Sequence, residues 1–256
     1  MSDFERIASW LRDAQQVVVL TGAGISTESG IPDFRGPQGT WTKDPAAERR
    51  ADIRYYIAEP ELRRKAWRDR VERPMWEAEP NAGHRALAAL ESRTALHTLV
   101  TQNIDGLHQR AGSSPEIVIE IHGTAHEAKC LDCGWRGPMS ETLDRVRAGE
   151  DDPRCLECGG MLKSGTISFG ESLVEADLVR AQQAAADADV FLAIGTSLGV
   201  YPAAALPEIA LRGGARLLIL NAEPTPFDGA ADAIVRDQLG TALPAIVAAL
   251  TTRAAP

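Results

Sequence analysis

The chain has 256 residues, of which 44% are hydrophobic and 25% are charged, and its formal net charge is −9. These fractions are ordinary for a globular protein, so they exclude a chain that is disordered throughout. Because 36 acidic residues outnumber 27 basic ones, we do not expect direct binding of nucleic acid through a generally cationic surface. A chain of this length can bury a large core, and we expect one large domain, with or without a smaller insert.

We expect neither a membrane-spanning segment nor a secretion signal. Its apolar runs are much shorter than the roughly 20 residues that a membrane helix needs. Acidic residues, Asp3 and Glu5, stand near the start where a secretory signal would carry bases, and no apolar region follows them. We therefore expect a cytoplasmic protein without membrane contact. In that reducing compartment, the four cysteines indicate a metal site rather than two disulfides.

Short apolar runs alternate with helical patterns along the chain. A helical pattern over 7–15 precedes a buried strand at 17–21, which ends in the turn Gly22-Ala23-Gly24. Further strands are predicted at 96–100, 117–121, 190–194 and 217–220, and further helices at 81–91, 173–188, 203–212 and 239–250. Strands that are apolar on both faces are typical of a parallel sheet covered on both sides. The sequence therefore predicts an α/β fold with a Rossmann-like parallel sheet and helices on both faces.

The cysteines form two Cys-x-x-Cys pairs, Cys130 with Cys133 and Cys155 with Cys158. Two intervening residues allow both thiolates of a pair to point at one ion, and two pairs complete the tetrahedron that zinc prefers. Four unrelated buried thiols, or a redox pair, are the alternatives. Because four cysteines leave no open coordination position, we expect one structural Zn²⁺ ion that takes no part in catalysis.

Two stretches, 37–80 and 126–164, do not follow the alternation of strands and helices. The first holds most of the tryptophans and many arginines, and the second holds all four cysteines. We expect them to form a smaller lobe from a helical insert and a zinc-ribbon insert. The large domain would then consist of 1–36, 81–125 and 165–250, and 251–256 would be a frayed tail.

The turn after the first strand is rich in glycine but lacks the complete dinucleotide fingerprint. Thr27 stands where the pattern G-x-G-x-x-G would have its third glycine. The segment 29–36 places Phe34 between Asp33 and Arg35, which a simple surface connection would not require. Main-chain N–H groups of such a loop can cradle a pyrophosphate, and Arg35 can pair with its charge.

Polar residues follow several predicted strands at the point where each strand ends. They are Gln102, Asn103 and Asp105 after the second strand, His122 after the third, Thr196 and Ser197 after the fourth, and Asn221 after the fifth. Ligands of open α/β sheets bind at the carboxyl ends of strands, so these side chains define a candidate site. His122 leads into Gly123 at this edge and is the candidate general base, whereas the other four histidines are expected to be structural.

The motifs, in their order along the chain, resemble those of the sirtuin family. They are Gly22-Ala23-Gly24-Ile25-Ser26, Gly30-Ile31-Pro32-Asp33-Phe34-Arg35, Thr101-Gln102-Asn103-Ile104-Asp105, His122-Gly123, the two Cys-x-x-Cys pairs, Gly195-Thr196-Ser197 and Asn221. No single motif would be specific, but their joint occurrence is. The resemblance extends over nearly the whole chain.

This resemblance implies NAD-dependent removal of acetyl or other acyl groups from protein lysines, with NAD consumed as a co-substrate. The products would be nicotinamide, O-acyl-ADP-ribose and free lysine. His122 would act as the general base, with Asn103 as a second catalytic residue. The implied NAD-binding residues are Gly22, Ala23, Gly24, Thr27, Asp33, Phe34, Arg35, Gln102, Asn103, Ile104, Asp105, Gly195, Thr196, Ser197 and Asn221.

The family resemblance also implies where the substrate binds. A peptide would add as a strand between Phe169-Gly170-Glu171 and Leu198-Gly199-Val200, with affinity supplied by main-chain hydrogen bonds. The implied partners are acylated lysine side chains of proteins, and we expect a monomer.

The acyl group is left open by the resemblance. Sirtuins that prefer succinyl or malonyl groups carry a Tyr-x-x-Arg pair in the helical insert, but here Trp67 stands in place of the tyrosine before Arg70. Acetyl is therefore favoured over acidic acyl groups. The stretch 36–42 resembles the branch that contains weak deacetylases, long-chain deacylases and mono-ADP-ribosyl transferases, so these activities stay as alternatives.

Two other classes of protein compete with this interpretation. A dehydrogenase would need an acidic residue about 20 positions beyond the glycine loop, at the end of a second strand. Asp44 lies near that distance, but its neighbours do not form a strand pattern. A sensor of NAD or ADP-ribose without catalysis would have no need of His122 beside Asn103 and Asp105.

Overall fold

A computed structural model describes residues 2–34, 36, 39–44 and 46–251. Arg35 and, apart from Thr251, the predicted tail at 251–256 lie outside the described residues. The described helices include none that is long and apolar enough to cross a bilayer.

Strands and helices alternate along most of the chain. The strands are β1 (Val17–Thr21), β2 (Leu96–Thr101), β3 (Val118–Glu120), β4 (Gly123–Cys130), β5 (Arg136–Pro138), β6 (Leu162–Thr166), β7 (Val190–Ile194), β8 (Arg216–Leu220) and β9 (Ala233–Val235). The α-helices are α1 (Asp3–Asp13), α2 (Thr40–Lys43), α3 (Ala46–Arg50), α4 (Ile53–Ala58), α5 (Pro60–Val71), α6 (Ala82–Glu91), α7 (Leu107–Arg110), α8 (Met139–Arg147), α9 (Glu175–Ala186), α10 (Leu206–Gly213) and α11 (Leu239–Thr251). Short 3₁₀ helices cover Ala23–Ser29, Pro74–Trp76, Ala203–Ala205 and Asp228–Ala230.

Six parallel strands form the larger sheet in the order β3-β2-β1-β7-β8-β9. Side chains of successive residues enter opposite cores, since Val17 and Val19 pack with α1, α6 and α11 while Val18 and Leu20 pack with α9 and α10. Both faces are therefore buried, which is why these strands are apolar throughout. The predicted Rossmann-like α/β fold is confirmed.

The smaller sheet is antiparallel, in the order β5-β4-β6, and carries the cysteine pairs at one end. Trp67 of α5 is fully buried with Met139 and Leu143 of α8 and with Leu162 of β6. The two predicted inserts thus share one apolar core. The proposed domain boundaries within the chain stay a prediction.

Two differences between the predicted and the observed elements have clear local causes. The strand β9 is missed because it has three residues at the sheet edge, with Ile234 only half-buried. The first helix begins at Asp3 rather than residue 7, because Ser2 and Glu5 form a reciprocal capping box. The other predicted strands match within one or two residues.

The order in which the chain adds strands reverses between β1 and β7: β2 and β3 extend the sheet to one side, and β8 and β9 extend it to the other. In an open α/β sheet, a ligand-binding crevice forms at such a point. The N–H group of Gly22 donates to the carbonyl of Ile194 at 3.0 Å, and that of Gly24 donates to the carbonyl of Gly195 at 2.8 Å. A Cβ on Gly195, whose φ is +61°, would lie 2.5 Å from the nitrogen of Ile25. Glycine is therefore required for this contact of two turns.

Replacement of Gly195 by alanine should destabilise the protein strongly. Strain at positive φ and the clash with the turn after β1 should together lower the free energy of unfolding by about 3 kcal/mol or more. The matched control is Gly149→Ala, at φ +104° in open space, which should cost about 1 kcal/mol from backbone strain alone. Urea unfolding followed by circular dichroism measures both, and equal losses would contradict the contact.

Candidate active site

Gln102 links the carboxyl ends of three neighbouring strands. Its Nε2 donates to Thr196 Oγ1 at 2.9 Å and to the carbonyl of Thr21 at 3.3 Å. Thr196 also accepts the N–H of Leu198 at 3.2 Å. The prediction that polar residues after different strands lie at one edge is therefore correct for Gln102 and Thr196.

Asn103 and Asp105 belong to a buried polar cluster with Ser26. The Asn103 amide donates to Ser26 Oγ at 3.0 Å and to the carbonyl of Gly22 at 3.2 Å. The Ser26 hydroxyl donates to Asp105 Oδ2 at 2.7 Å, and Asp105 Oδ1 accepts the N–H of Leu107 at 3.0 Å. Asn103 is only 8% exposed and Asp105 only 5%, so these hydrogen bonds hold both side chains in fixed orientations.

His122 has the geometry of a neutral base. Its Nδ1 lies 3.1 Å from the carbonyl oxygen of Gln102, which can only accept a hydrogen bond, so Nδ1 carries the proton and Nε2 carries the lone pair. Burial lowers the pKa of His122 from 6.5, although the hydrogen bond to Gln102 opposes that shift. The imidazole is therefore mainly unprotonated at neutral pH.

His84 and His108 are buried and have structural surroundings. Burial lowers the pKa of His84 to about 4 and that of His108 to about 3, so both are neutral. The Nε2 atoms of these rings lie 3.5 Å from Ser26 Oγ and 2.9 Å from Thr21 Oγ1, respectively. Both histidines are therefore buried structural residues that form hydrogen bonds next to the polar cluster.

A second titratable group lies close to His122. Burial raises the pKa of Glu120, the last residue of β3, to about 7, although hydrogen bonds from Gln109 and Thr124 oppose the shift. Glu120 therefore titrates near neutral pH, and a pH profile of activity has to distinguish its titration from that of His122.

The loop after β1 uses several of its polar groups internally. Thr27 donates from its hydroxyl to the carbonyl of Gly24 at 2.9 Å, and Asp33 Oδ1 accepts the N–H of Gly36 at 3.2 Å. The N–H groups of Gly22 and Gly24 already donate to the carbonyls of Ile194 and Gly195, so they are not the groups that would cradle a pyrophosphate. Phe34 is 42% exposed, and Arg35 lies outside the described residues.

The residues predicted for the adenosine side lie at the ends of β7 and β8. Ser197 is exposed next to buried Thr196. Asn221 donates from Nδ2 to the carbonyl of Glu223 at 2.8 Å, while its own carbonyl accepts from Arg236 at 2.7 Å. Asn221 therefore helps to shape the turn in which it lies.

The segment Phe169-Gly170-Glu171 lies beside the candidate base, because the N–H of Ile167 donates to the carbonyl of His122 at 2.7 Å. The N–H of Phe169 donates to Ala51 and its carbonyl accepts from Ile53, both through main-chain atoms. Both main-chain groups of Phe169 are thus bonded to the helical insert, so a peptide strand would bond to other main-chain groups of the segment. In the second predicted segment, the carbonyl of Val200 accepts from Ala204 at 2.9 Å.

The four cysteine sulfurs all lie within 4.8 Å of one another. The distances are 3.6 Å between Cys130 and Cys158 and 3.8 Å between Cys133 and Cys155. Zinc–sulfur bonds of about 2.3 Å predict sulfur–sulfur edges of about 3.8 Å in a tetrahedron. The N–H groups of Asp132 and Gly160 point at Cys130 and Cys158, each at 3.4 Å. The cluster suits one structural zinc ion.

Comparison with known proteins relates the chain to one family. Residues 22–202 match the family model described as "Sir2 family". The chain belongs to the Sir2 family. The family resemblance inferred from the motifs is therefore confirmed.

Individual Sir2 relatives match over nearly their full lengths. NAD-dependent protein deacetylase 2 of Streptomyces coelicolor is 51% identical over 234 residues, which cover 91% of this chain and 97% of the relative. A Sir2 structure with a deacetylated p53 peptide and 3′-O-acetyl ADP-ribose matches with a TM-score of 0.89 at 35% identity, covering 96% of this chain and 98% of the other. A Sir2 complex with a p53 peptide and NAD⁺ matches with a TM-score of 0.86 at 35% identity over the same shares.

The contacts of two residues in and beside the buried polar cluster of this Sir2 chain, Ser26 and His84, are missed by sequence reasoning. Ser26 is the last residue of the motif that begins at Gly22, but its contact with Asp105 depends on how the loop folds. His84 lies on α6 and is recognisable only as part of an N-terminal cap with Asn81. No local pattern indicates that α6 approaches the loop after β1.

Loss of one cysteine from this Sir2 chain should remove the metal. Cys155→Ser should lower the zinc content from about one ion per chain towards zero, because serine is a poor zinc ligand, and should lower the melting temperature. Leu156→Ser is the matched control, since Leu156 lies between Cys155 and Cys158 and is 82% exposed, and it should retain zinc. Metal content by mass spectrometry and thermal unfolding measure both effects, and full zinc retention in Cys155→Ser would contradict the assignment.

Proposed function

We propose that this Sir2 family member removes acetyl groups from lysine side chains of proteins, with NAD as its co-substrate. The products are nicotinamide, O-acetyl-ADP-ribose and unmodified lysine. The observation that carries the proposal is His122, whose ring is oriented by the Gln102 carbonyl and whose pKa is lowered by burial. An oriented neutral imidazole beside fixed amide and carboxylate groups suits proton transfer from a hydroxyl.

The donor and acceptor groups at the strand ends fit NAD. Neutral amides and hydroxyls of Gln102, Asn103, Thr196 and Ser197 complement ribose hydroxyls and a carboxamide. We assign Asn103, Ile104 and Asp105 to the nicotinamide side, and Thr196, Ser197 and Asn221 to the adenosine side. The loop 22–35 would lie along the pyrophosphate. When bound, NAD supplies the bond between ribose and nicotinamide whose cleavage drives acyl transfer.

The residues of this chain have separate roles in the proposed reaction. Asn103 and Asp105 are held rigidly by Ser26, so the nicotinamide side is preorganised before a ligand binds. His122 accepts a proton at Nε2 while Nδ1 remains bonded to Gln102. The segments Phe169-Gly170-Glu171 and Leu198-Gly199-Val200 bind the acyl-lysine peptide on either side.

Acetyl is the proposed acyl group. The guanidinium of Arg70 lies 4.6 Å above the ring of Trp67, with Nη2 3.4 Å from Ser164 Oγ, in the core shared by the two inserts. This stacking supports a packing role for Arg70 rather than recognition of an acidic acyl group. The deacetylase names of the relatives point in the same direction.

We also propose a cytoplasmic, monomeric protein without nucleic-acid partners. The four cysteines are grouped without a disulfide bond between them, which suits a reducing compartment. The net charge of −9 disfavours binding to nucleic acid.

Acyl-dependent release of nicotinamide from NAD tests the proposed function. The wild type should release nicotinamide with an acetyl-lysine peptide and less with succinyl-lysine or myristoyl-lysine peptides. His122→Ala should reduce the rate by about 10²-fold or more, because the general base is lost. His97→Ala is the matched control, since His97 is an exposed histidine at the other end of β2, and it should leave the rate unchanged.

Three outcomes would contradict the proposal in different ways. Preference for a succinyl or myristoyl peptide would change the acyl class. Release of nicotinamide with labelling of protein by ADP-ribose would indicate ADP-ribosyl transfer. Binding of NAD without release under any condition would indicate a sensor.

The pH profile should report the lowered pKa of His122. Protonation removes the lone pair of Nε2, so kcat/KM should fall with decreasing pH, with its inflection below 6.5. Glu120 titrates near 7, and Glu120→Gln removes that group while keeping the size of the side chain. An inflection at or above 6.5 that persists in Glu120→Gln would contradict the assigned state of His122.

A further inference from the structure

A buried lysine lies under the segment that would receive the substrate peptide. Lys163, in β6, is only 2% exposed. Its Nζ donates to the carbonyl of Thr166 at 2.6 Å and to Glu171 Oε2 at 2.8 Å. Burial of an ammonium group is costly unless it is paired, so these two contacts define where the Lys163 side chain lies.

Glu171 collects three donors around the same segment. Its Oε2 accepts from Lys163 and from the N–H of Ser168 at 2.8 Å, and its Oε1 accepts from Lys129 Nζ at 2.9 Å. Burial raises the pKa of Glu171, but these hydrogen bonds outweigh it and bring the value to about 2. The carboxylate therefore stays charged, and its hydrogen bond from the N–H of Ser168 connects the two ends of the loop 168–171.

Lys163 also remains charged at neutral pH. Burial lowers its pKa to about 8, because the attraction of Glu171 offsets burial only in part and Lys129 and Arg70 add repulsion. The two lysines differ in their surroundings. The side chain of Lys129 is 21% exposed, and its ion pair with Glu171 is more screened than that of Lys163.

The segment held in this way touches the candidate catalytic residue. Ile167 bonds to the carbonyl of His122, and Phe169 bonds to Ala51 and Ile53 of the helical insert. Displacement of 168–171 would therefore move the peptide-binding main chain relative to His122.

We propose that Lys163 is a positioning residue for substrate binding. Through Glu171 it holds the main chain of 168–171 in the conformation that receives the acyl-lysine peptide. This inference rests on the proposed function. According to this inference, the Lys163–Glu171 pair affects the affinity for the peptide and does not affect the affinity for NAD.

Steady-state kinetics of Lys163→Met test the proposal. The KM for the acetyl-lysine peptide should rise by about tenfold, while the KM for NAD and kcat change by less than about twofold, because binding and not chemistry is impaired. Hydrogen exchange gives a second readout, since the amide of Ser168 should exchange faster when Glu171 loses Lys163.

Two lysine variants serve as matched controls. Lys129→Met removes the more exposed partner of Glu171 and should raise the peptide KM by less than Lys163→Met does. Lys65→Met breaks an exposed ion pair with Asp69 on α5 and should change neither KM nor exchange. If Lys163→Met does not fold, Glu171→Gln, which keeps the shape of the side chain, decides by the same measurements.

The outcomes separate this inference from the proposed function. An unchanged peptide KM with unchanged exchange at Ser168 would overturn the positioning role, as would equal rises in the KM of peptide and NAD. If the wild type shows no deacetylation, the proposed function fails. Fluorescence anisotropy of a labelled acetyl-lysine peptide then still measures whether Lys163→Met weakens peptide binding, and unchanged or undetectable binding would overturn the inference.

Discussion

The turns that follow β1 and β7 lie in direct contact, and the rest of the candidate site depends on that contact. A Cβ on Gly22 would lie 2.8 Å from the carbonyl oxygen of Gly195, and one on Gly24 would lie 2.8 Å from its Cα. The contact places the 3₁₀ helix Ala23–Ser29 at the sheet edge, where Ser26 reaches Asn103 and Asp105. Hydrogen bonds weaken steeply with distance and angle, so separation of the turns by one methyl group would disrupt the cluster.

The smaller lobe is built into the same site. His122 is followed directly by β4, whose first residue, Gly123, pairs with Thr166 of β6. At this position the φ is +70°, and a Cβ would lie 2.3 Å from the carbonyl oxygen of Gly165. Gly123 is thus required by the approach of two strands, in addition to any room that it leaves for substrate. The other end of β4 is Cys130, so one strand joins the cysteine cluster to the candidate base.

The degree to which the structure follows from the sequence differs between its parts. Buried strands of the large sheet are predictable because both faces are apolar, and their polar ends are predictable because parallel strands share an edge. The strand β6 is not, since Lys163 and Ser164 are buried polar residues that break the expected alternation. Contacts such as those of Ser26 and His84 depend on distant segments, and no local pattern encodes them.

The hydrogen-bond partner of His122 has a chemical consequence. A carboxylate at Nδ1 would stabilise the imidazolium and raise the pKa, as an opposite charge does for any cation. The carbonyl of Gln102 fixes the same tautomer with only a dipole, so burial prevails and the ring stays neutral. In the proposed reaction this arrangement keeps the base available at neutral pH. Because the orienting atom belongs to the main chain beside Asn103, the base and the proposed nicotinamide side are positioned by one short segment.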